Sequence, residues 1–120
     1  MKLRLTTRVV IGIKVIDCDG RIVTGEETDA IREIGRRLIV EDPHIVLNLR
    51  NVTVIDSSGL GMLVGLYTTA KNANGGIKLA ELTPLCHRLM RITKLGTVFE
   101  IFDKEADAVH SFGMALPNAG

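Results

Sequence analysis

Aromatic side chains are scarce in this sequence. It has no tryptophan, one tyrosine and three phenylalanines, which together make up 3% of its 120 residues. A surface that stacks nucleic-acid bases needs several aromatic rings, so the composition argues against one. Hydrophobic residues amount to 46% of the chain and are therefore mostly aliphatic. An aliphatic core is typical of an α/β domain with a buried sheet.

The sequence also lacks an excess of charge of one sign. Lys and Arg number 15 and Asp and Glu number 14, which leaves a net charge of +1. Proteins that bind DNA or RNA directly carry clustered basic residues, so we predict no direct nucleic-acid partner. The length suits one domain over residues 1–113, and the Pro- and Gly-containing residues 114–120 predict a flexible C-terminal tail.

Long apolar runs, paired cysteines and metal-ligand patterns are missing as well. The apolar stretch Val9–Ile16 is broken by Gly12 and Lys14 and is too short to cross a bilayer, which predicts a strand and no membrane insertion. Cys18 and Cys86 form no CxxC pair, so we expect two reduced thiols and a cytoplasmic protein. Without a Cys/His cluster or a calcium loop, we expect no metal and no cofactor.

Strand-forming segments recur along the chain. The β-branched stretch Val9–Ile16 is followed by the turn-forming residues Asp17–Gly20, which predicts an N-terminal hairpin. Ile45–Leu49, Ile77–Ala80 and Val98–Phe102 predict three later strands. Helical patterns separate these strands, and such alternation predicts a mainly parallel or mixed sheet covered by helices.

Capping residues predict where the helices begin. Thr24 has Glu27 three residues later, as in a capping box. A second helix is predicted over Leu60–Asn74, and a third begins at Pro84 with Thr83 as its cap. A fourth helix is predicted to begin with Asp103 as its cap. Apolar spacing predicts that the last two helices bury Leu85, Leu89, Ile92, Ala106, Val109 and Phe112.

The segment Val54–Gly65 joins a predicted strand to a predicted helix, which is where α/β folds place ligand sites. A P-loop is excluded because the first lysine to follow is Lys71. A dinucleotide fingerprint fails because Val64 replaces its third glycine. A nucleophile elbow centred on Ser57 fails because Ile55 replaces its first glycine. The three histidines lie on separate predicted elements, so no base is assigned to the serine and we predict no enzyme.

Two interpretations of Asp56-Ser57-Ser58-Gly59 remain open from the residues alone. Asp, Ser and Gly are good N-cap residues, so the segment can simply start a helix. The alternative is a modification site, because a phosphoryl group adds about −1.5 to −2 charges that a helix N-terminus tolerates. Such a charge would leave the fold intact and weaken the binding of a partner that docks beside it.

At these residues the sequence resembles the STAS-domain family, and specifically the bacterial anti-sigma factor antagonists. The resemblance covers about Val9 to Phe112. The segments that carry it are Asp19-Gly20, Ile45–Leu49, Val54–Gly61 and Leu89–Phe102. It implies the STAS fold, a single mixed β-sheet with about four helices packed mainly on one face.

The resemblance also implies a function. Antagonists of this type bind an anti-sigma factor that is also a serine kinase, and thereby release a sigma factor. The kinase uses ATP to phosphorylate the first serine of the motif, the complex separates, and a PP2C-type phosphatase restores the active form. By position, Ser57 would be the phosphorylated residue.

The same resemblance implies roles for the neighbouring residues. Asp56 would shape the docking surface, Ser58 would cap the helix, and Gly59 and Gly61 would admit a partner backbone. Asp19-Gly20 would form a loop beside them. The implied partner-binding residues are Asp19, Gly20, Asp56, Ser57, Ser58, Gly59, Leu60 and Gly61.

The sequence departs from the antagonist pattern at Val23, where many antagonists carry an acidic residue that bears on the kinase contact. STAS domains also serve as scaffolds that are not switched, for example as subunits of lipid-transport complexes. In that alternative, Ser57 would be only a cap or a contact.

Overall fold

The computed structural model describes residues 3–113. Five strands within this range form one mixed sheet. The strands lie in the order β1 (Arg4–Val10), β2 (Ile13–Ile22), β3 (His44–Ile55), β4 (Gly76–Ala80) and β5 (Glu100–Phe102). β1 pairs antiparallel with β2, and every later pair is parallel. The predicted mixed sheet is confirmed.

Three helices join successive parallel strands: α1 (Glu26–Glu41), α2 (Ser57–Asn72) and α3 (Pro84–Ile92). Right-handed crossovers that all step in the same direction put their helices on the same face of a sheet. A 3₁₀ turn at Leu95–Thr97 precedes β5, and α4 (Glu105–Ser111) follows it. The predicted arrangement of four helices mainly on one face is confirmed, because only α4 packs on the other face of the described sheet.

Alternating residues of the central strands supply two separate cores. Leu47 and Leu79 point to the face covered by α1, α2 and α3, where they join Leu63 and other aliphatic side chains. Val46 and Ala80 point to the opposite face, where the buried apolar residues are Ile13, Val15, Val46, Ala80, Ala108 and Val109. Burial of one large aliphatic side chain stabilises a fold by about 1.5–3 kcal/mol, so the larger core dominates stability.

The N-terminal hairpin turns at a different place from the predicted one. Its turn is Ile11–Gly12, and both residues have positive φ, 50° and 80°, as a type I′ turn requires. The predicted turn at Asp17–Gly20 was wrong, because these residues lie inside β2. Strand β2 accommodates these turn-forming residues because its pairing with β3 shifts register between Asp17 and Asp19 and again after Gly20. Gly20 itself has a φ of 124°.

Of the three predicted helix caps, one is confirmed and two were wrong. Thr83 is confirmed as the cap of α3, since its Oγ1 accepts a hydrogen bond from Cys86 N at 3.2 Å. The predicted capping box at Thr24 was wrong, because the N-cap of α1 is Gly25, which has no side chain. α4 likewise begins after Lys104, one residue beyond the predicted cap.

The predicted apolar face of α3 was also largely wrong. Leu85 and Ile92 are 39% and 66% exposed, and the helix instead buries Cys86 and Met90. In α4 the buried residues are Ala108 and Val109, whereas the predicted Ala106 is exposed and Phe112 is half-buried. Both cysteines are free and buried, and burial raises the pKa of the Cys18 thiol to about 12. The predicted tail at residues 114–120 lies outside the described residues.

Candidate functional site

The start of α2 is tied to the segment that leads into α1 by the carboxylate of Asp56. As the N-cap of α2, Asp56 accepts a hydrogen bond from Gly59 N on Oδ1 at 2.8 Å. Its Oδ2 accepts from the backbone N and from the Oγ1 of Thr24, at 2.9 and 3.0 Å. These backbone hydrogen bonds, first from Thr24 and then from Gly59, lower the pKa of Asp56 below its usual 3.8. Asp56 is therefore a fixed negative charge at neutral pH.

Ser57 and Ser58 are the first two residues of α2, and both are exposed. The hydroxyl oxygens of Ser58 and Thr24 lie 2.9 Å apart. Since Thr24 Oγ1 also contacts the Asp56 carboxylate, the side chains of Thr24, Asp56 and Ser58 form one hydrogen-bonded group. The expectation that Ser58 caps the helix was wrong, since Asp56 is the cap. The two serines therefore differ, because the Ser58 hydroxyl is held by Thr24.

Gly59 lets α2 approach the end of β2. A Cβ at this position would lie 2.4 Å from the carbonyl oxygen of Ile22, which no real side chain tolerates. The same carbonyl accepts a hydrogen bond from Asp56 N at 3.2 Å. Gly59 was expected to admit a partner backbone, but this close approach is made by the protein's own chain.

The two residues after Gly59 differ in their surroundings. Leu60 is 9% exposed and belongs to the core, so it positions the helix from inside. Gly61 is exposed, and a Cβ added there would meet no described atom within 4 Å. Of these two predicted contact residues, Gly61 is the one with an open surface above it.

Asp19 and Gly20 lie on β2 and not on the expected loop. Arg4 Nη2 donates to Asp19 Oδ2 at 3.5 Å, and Gly20 O accepts a hydrogen bond from Thr53 Oγ1 at 3.2 Å. Among the described residues, these contacts run to β1 and β3. The structure thus brings residues 56–61 together with Thr24, and it leaves Asp19 and Gly20 in a different set of contacts.

A groove of about 440 Å³ runs between α1 and α2 and begins at Ser58. Arg32 and Arg36 of α1 lie on one side, and Gly61 and Gly65 of α2 lie on the other. We call it the α1–α2 groove. No pattern in the sequence predicts this groove, because Arg32 and Arg36 have the spacing of an ordinary solvated helix face.

Within residues 3–113, no group of three or more His, Cys, Asp and Glu side chains is placed to hold a metal ion. No helix in the same range is long and apolar enough to cross a membrane.

Comparison with known proteins places this architecture in a family. Residues 4–108 match the STAS domain. A 66-residue stretch is 36% identical to the anti-sigma F factor antagonist of Paenibacillus polymyxa and covers 55% of this chain and 56% of that protein. The match thus spans little more than half of that relative. A STAS-domain containing protein of Pseudomonas aeruginosa is 34% identical over 86 residues, covering 72% of this chain and 84% of that one.

Solved structures share the fold at low sequence identity. An anti-sigma factor antagonist from Mycobacterium paratuberculosis superposes with a TM-score of 0.81 at 20% identity, over 93% of this chain and 95% of that one. The Bacillus cell fate determinant SpoIIAA in its phosphorylated form gives a TM-score of 0.69 at 21% identity, over 91% of this chain and 97% of that one. Because the STAS-domain match covers residues 4–108, which are most of the chain, the chain belongs to the STAS-domain family.

Proposed function

We propose that the protein is a cytoplasmic anti-sigma factor antagonist that is switched off by phosphorylation of Ser57. In its unmodified form it binds an anti-sigma factor that is also a serine kinase, and so releases a sigma factor. A PP2C-type phosphatase removes the phosphate and restores binding. The protein acts as a binding partner and as a kinase substrate, not as an enzyme.

The observation that carries this proposal is the exposed Ser57 at the N-terminus of a 16-residue helix, next to an ionised Asp56. Relatives named as anti-sigma factor antagonists support the partner, and a structural neighbour solved in its phosphorylated form supports the modification.

The contacts of the two serines favour Ser57 as the acceptor. The Ser58 hydroxyl is hydrogen-bonded to Thr24, and phosphorylation of Ser58 would disrupt that contact. Phosphorylation of Ser57 moves the γ-phosphoryl group from ATP to Oγ, and the products are phosphoserine, ADP and a proton. The chain contributes only the hydroxyl acceptor to this step.

A phosphate on Ser57 would leave the fold stable but would weaken the complex with the partner. A helix N-terminus stabilises a nearby anion by about 0.3–1 kcal/mol, so α2 can carry the new charge. The same dianion would stand beside the Asp56 carboxylate on the proposed docking surface, which comprises Ser57, Ser58, Gly61 and the α1–α2 groove. Desolvating it against a partner costs several kcal/mol, and each 1.4 kcal/mol weakens binding tenfold.

The test is to incubate the protein with the cognate anti-sigma factor and ATP and to locate the phosphate by mass spectrometry. We expect modification at Ser57, none in Ser57→Ala, and undiminished modification in Ser58→Ala. Modification at a different residue would refute the assignment.

Binding can be measured separately with the unphosphorylated chain. Ser57→Asp should weaken the complex at least tenfold, whereas Ser58→Asp, which carries the same charge one residue along, should weaken it less. If Ser57→Asp leaves every complex intact, the switch is refuted and the role of an unswitched STAS scaffold or lipid-transport subunit stands.

A further inference from the structure

A second cavity lies at the end of the sheet opposite Ser57, where β3 and β4 begin. Its volume is about 210 Å³, and its lining includes Lys71, Gly75, Gly76, Lys78, Glu100 and Phe112. We call it the β4 cavity. Cavities that hold drug-sized ligands have about 300–1,000 Å³, so this one suits a smaller molecule.

The deepest charged group of the β4 cavity is Lys78. It is only 8% exposed, although lysine is almost never buried without partners. Its Nζ donates to Ser111 Oγ at 2.7 Å and lies 4.2 Å from the centre of the Phe112 ring. Glu100 Oε1 is 3.6 Å away, beyond hydrogen-bond distance. An ammonium group has three N–H donors, and among the described residues one of them has a hydrogen-bond acceptor.

The remaining charges of the cavity also favour an anion. Lys71 and Lys78 bring two positive charges, and Glu100, an ion-pair partner of Lys78, brings one negative charge on a side chain that is 64% exposed. The backbone amides are already used, since Gly75 N donates to Ala70 O and Gly76 N donates to Pro43 O. Side chains must therefore supply the recognition.

We propose that the β4 cavity binds a compact oxyanion, either a phosphate or a carboxylate group. Lys78 is its buried contact, Lys71 its exposed contact, and Glu100 is displaced when it binds. Ammonium groups bind both kinds of oxyanion through charge-assisted hydrogen bonds. The proposal does not depend on phosphorylation of Ser57, because the two sites lie at opposite ends of β3.

The experiment follows backbone amide signals by NMR during titration with inorganic phosphate and, in a second arm, with succinate. Sodium chloride keeps the ionic strength constant. We expect saturable shifts of the amides of residues 75–78 in at least one arm, and the stronger arm identifies the preferred oxyanion. Lys78→Met should weaken this binding at least about tenfold, the value of one lost charge-assisted hydrogen bond.

Glu100→Gln should have the opposite effect, because it removes the competing carboxylate, and we expect binding about two- to fivefold tighter. Matched controls are Lys104→Met, at the other end of α4, and Glu33→Gln, on an exposed face of α1; both should bind as the unmodified chain does. Lys71→Met gives a second reading at an exposed position if Lys78→Met fails to fold.

Three results would overturn the proposal. The first is the absence of saturable shifts at residues 75–78 in both arms. The second is binding that survives unchanged in both lysine variants. The third is saturable shifts confined to residues 57–60, which would place the anion at the N-terminus of α2 instead.

Discussion

The two faces of the sheet are held by different forces. The face covered by α1, α2 and α3 is packed with aliphatic side chains such as Leu47, Leu63 and Leu79, each at most 1% exposed. The face covered by α4 has a small apolar core and, beside it, a network of charged and amide side chains. One face depends on the hydrophobic effect, which varies little with pH, and the other depends partly on ionised groups.

Glu105 of α4 is the centre of that network. It accepts hydrogen bonds from Arg8 Nη2 at 2.5 Å and from the Nδ2 of the buried Asn48 at 2.9 Å. Arg8 also donates to Asp17, which in turn accepts from Arg50 at 3.2 Å. A helix of seven residues is too short to persist alone, so these contacts anchor α4 to β1, β2 and β3.

The largest effect should come from the aliphatic face. Leu79 is fully buried, and Leu79→Ala removes buried methyl groups and leaves a cavity, which typically costs about 2–5 kcal/mol. Urea denaturation should show this loss, whereas Val40→Ala, at a position that is 87% exposed, should change the free energy of unfolding by less than about 0.5 kcal/mol. A loss below about 1 kcal/mol at Leu79 would contradict the assignment of the main core to this face.

A smaller effect is expected on the α4 face. Glu105→Gln keeps the shape of the side chain but removes one of the two ionised partners of the Arg8 guanidinium, which should cost about 1–3 kcal/mol. The amides of α4 should lose hydrogen-exchange protection while those of α2 keep it. Glu33→Gln removes the same charge from an exposed site and should leave both unchanged, and equal losses in the two variants would show that Glu105 is no anchor.

The pH dependence should separate the faces more sharply. Hydrogen bonds from Arg8 lower the pKa of Asp17 and of Glu105 below their usual 3.8 and 4.5. The unfolded chain therefore takes up these protons first. The stabilisation is present above about pH 5, begins to decline as the pH falls through the unfolded values of 4.5 and 3.8, and is lost as the pH falls through the lower folded-state pKa values.

The double variant Asp17→Asn, Glu105→Gln should have a shallower acid loss of stability in urea denaturation between pH 6 and pH 3. It should not be flat, because hydrogen bonds also lower the pKa of Asp56 and Glu41. Leu79→Ala should instead lower the whole curve in parallel with that of the unmodified chain. If the stability curves of the double variant and of Leu79→Ala both ran parallel to that of the unmodified chain, the proposed difference between the two faces would be refuted.

The smallest effect should be a gain, at the hairpin that carries Arg8. Ile11 has a φ of 50°, which costs a β-branched residue about 1–2 kcal/mol. Asn tolerates this conformation and precedes Gly in the preferred two-residue turn, so Ile11→Asn should raise the free energy of unfolding by about 0.5–1 kcal/mol. Val9→Asn, at an exposed position on the strand itself, should bring no gain.

Local patterns in the sequence predict the features that depend on neighbouring residues. The alternation of strands and helices, and the Thr83 cap of α3, followed from spacing within a few positions. The hairpin turn was missed because Ile11 gives no turn signal, while the aspartates of Asp17–Gly20 give one inside a strand. Their carboxylates bond to arginines on β1 instead of to their own backbone.

The site was predicted only in part, because some of its contacts join residues that are far apart in the sequence. The motif itself pointed to residues 56–59, but its main partner, Thr24, lies 32 residues away and was interpreted as a local cap. The Arg8–Glu105 contact spans 97 residues. Contacts of this kind leave no periodic signal in one sequence, since they arise only when the sheet brings distant segments together.

The close approach of Gly59 to Ile22 O has a consequence for reading a saturation mutagenesis library. A screen that scores only expression and solubility should already reject every substitution at Gly59, because any Cβ collides with the protein's own backbone. Gly61, with open space above it, should tolerate substitution in that screen and lose its tolerance only in a screen for complex formation. Within this one short motif, sensitivity at Gly59 would thus report on folding, and sensitivity at Gly61 would report on binding. Only the sensitivity at Gly61 carries information about a partner.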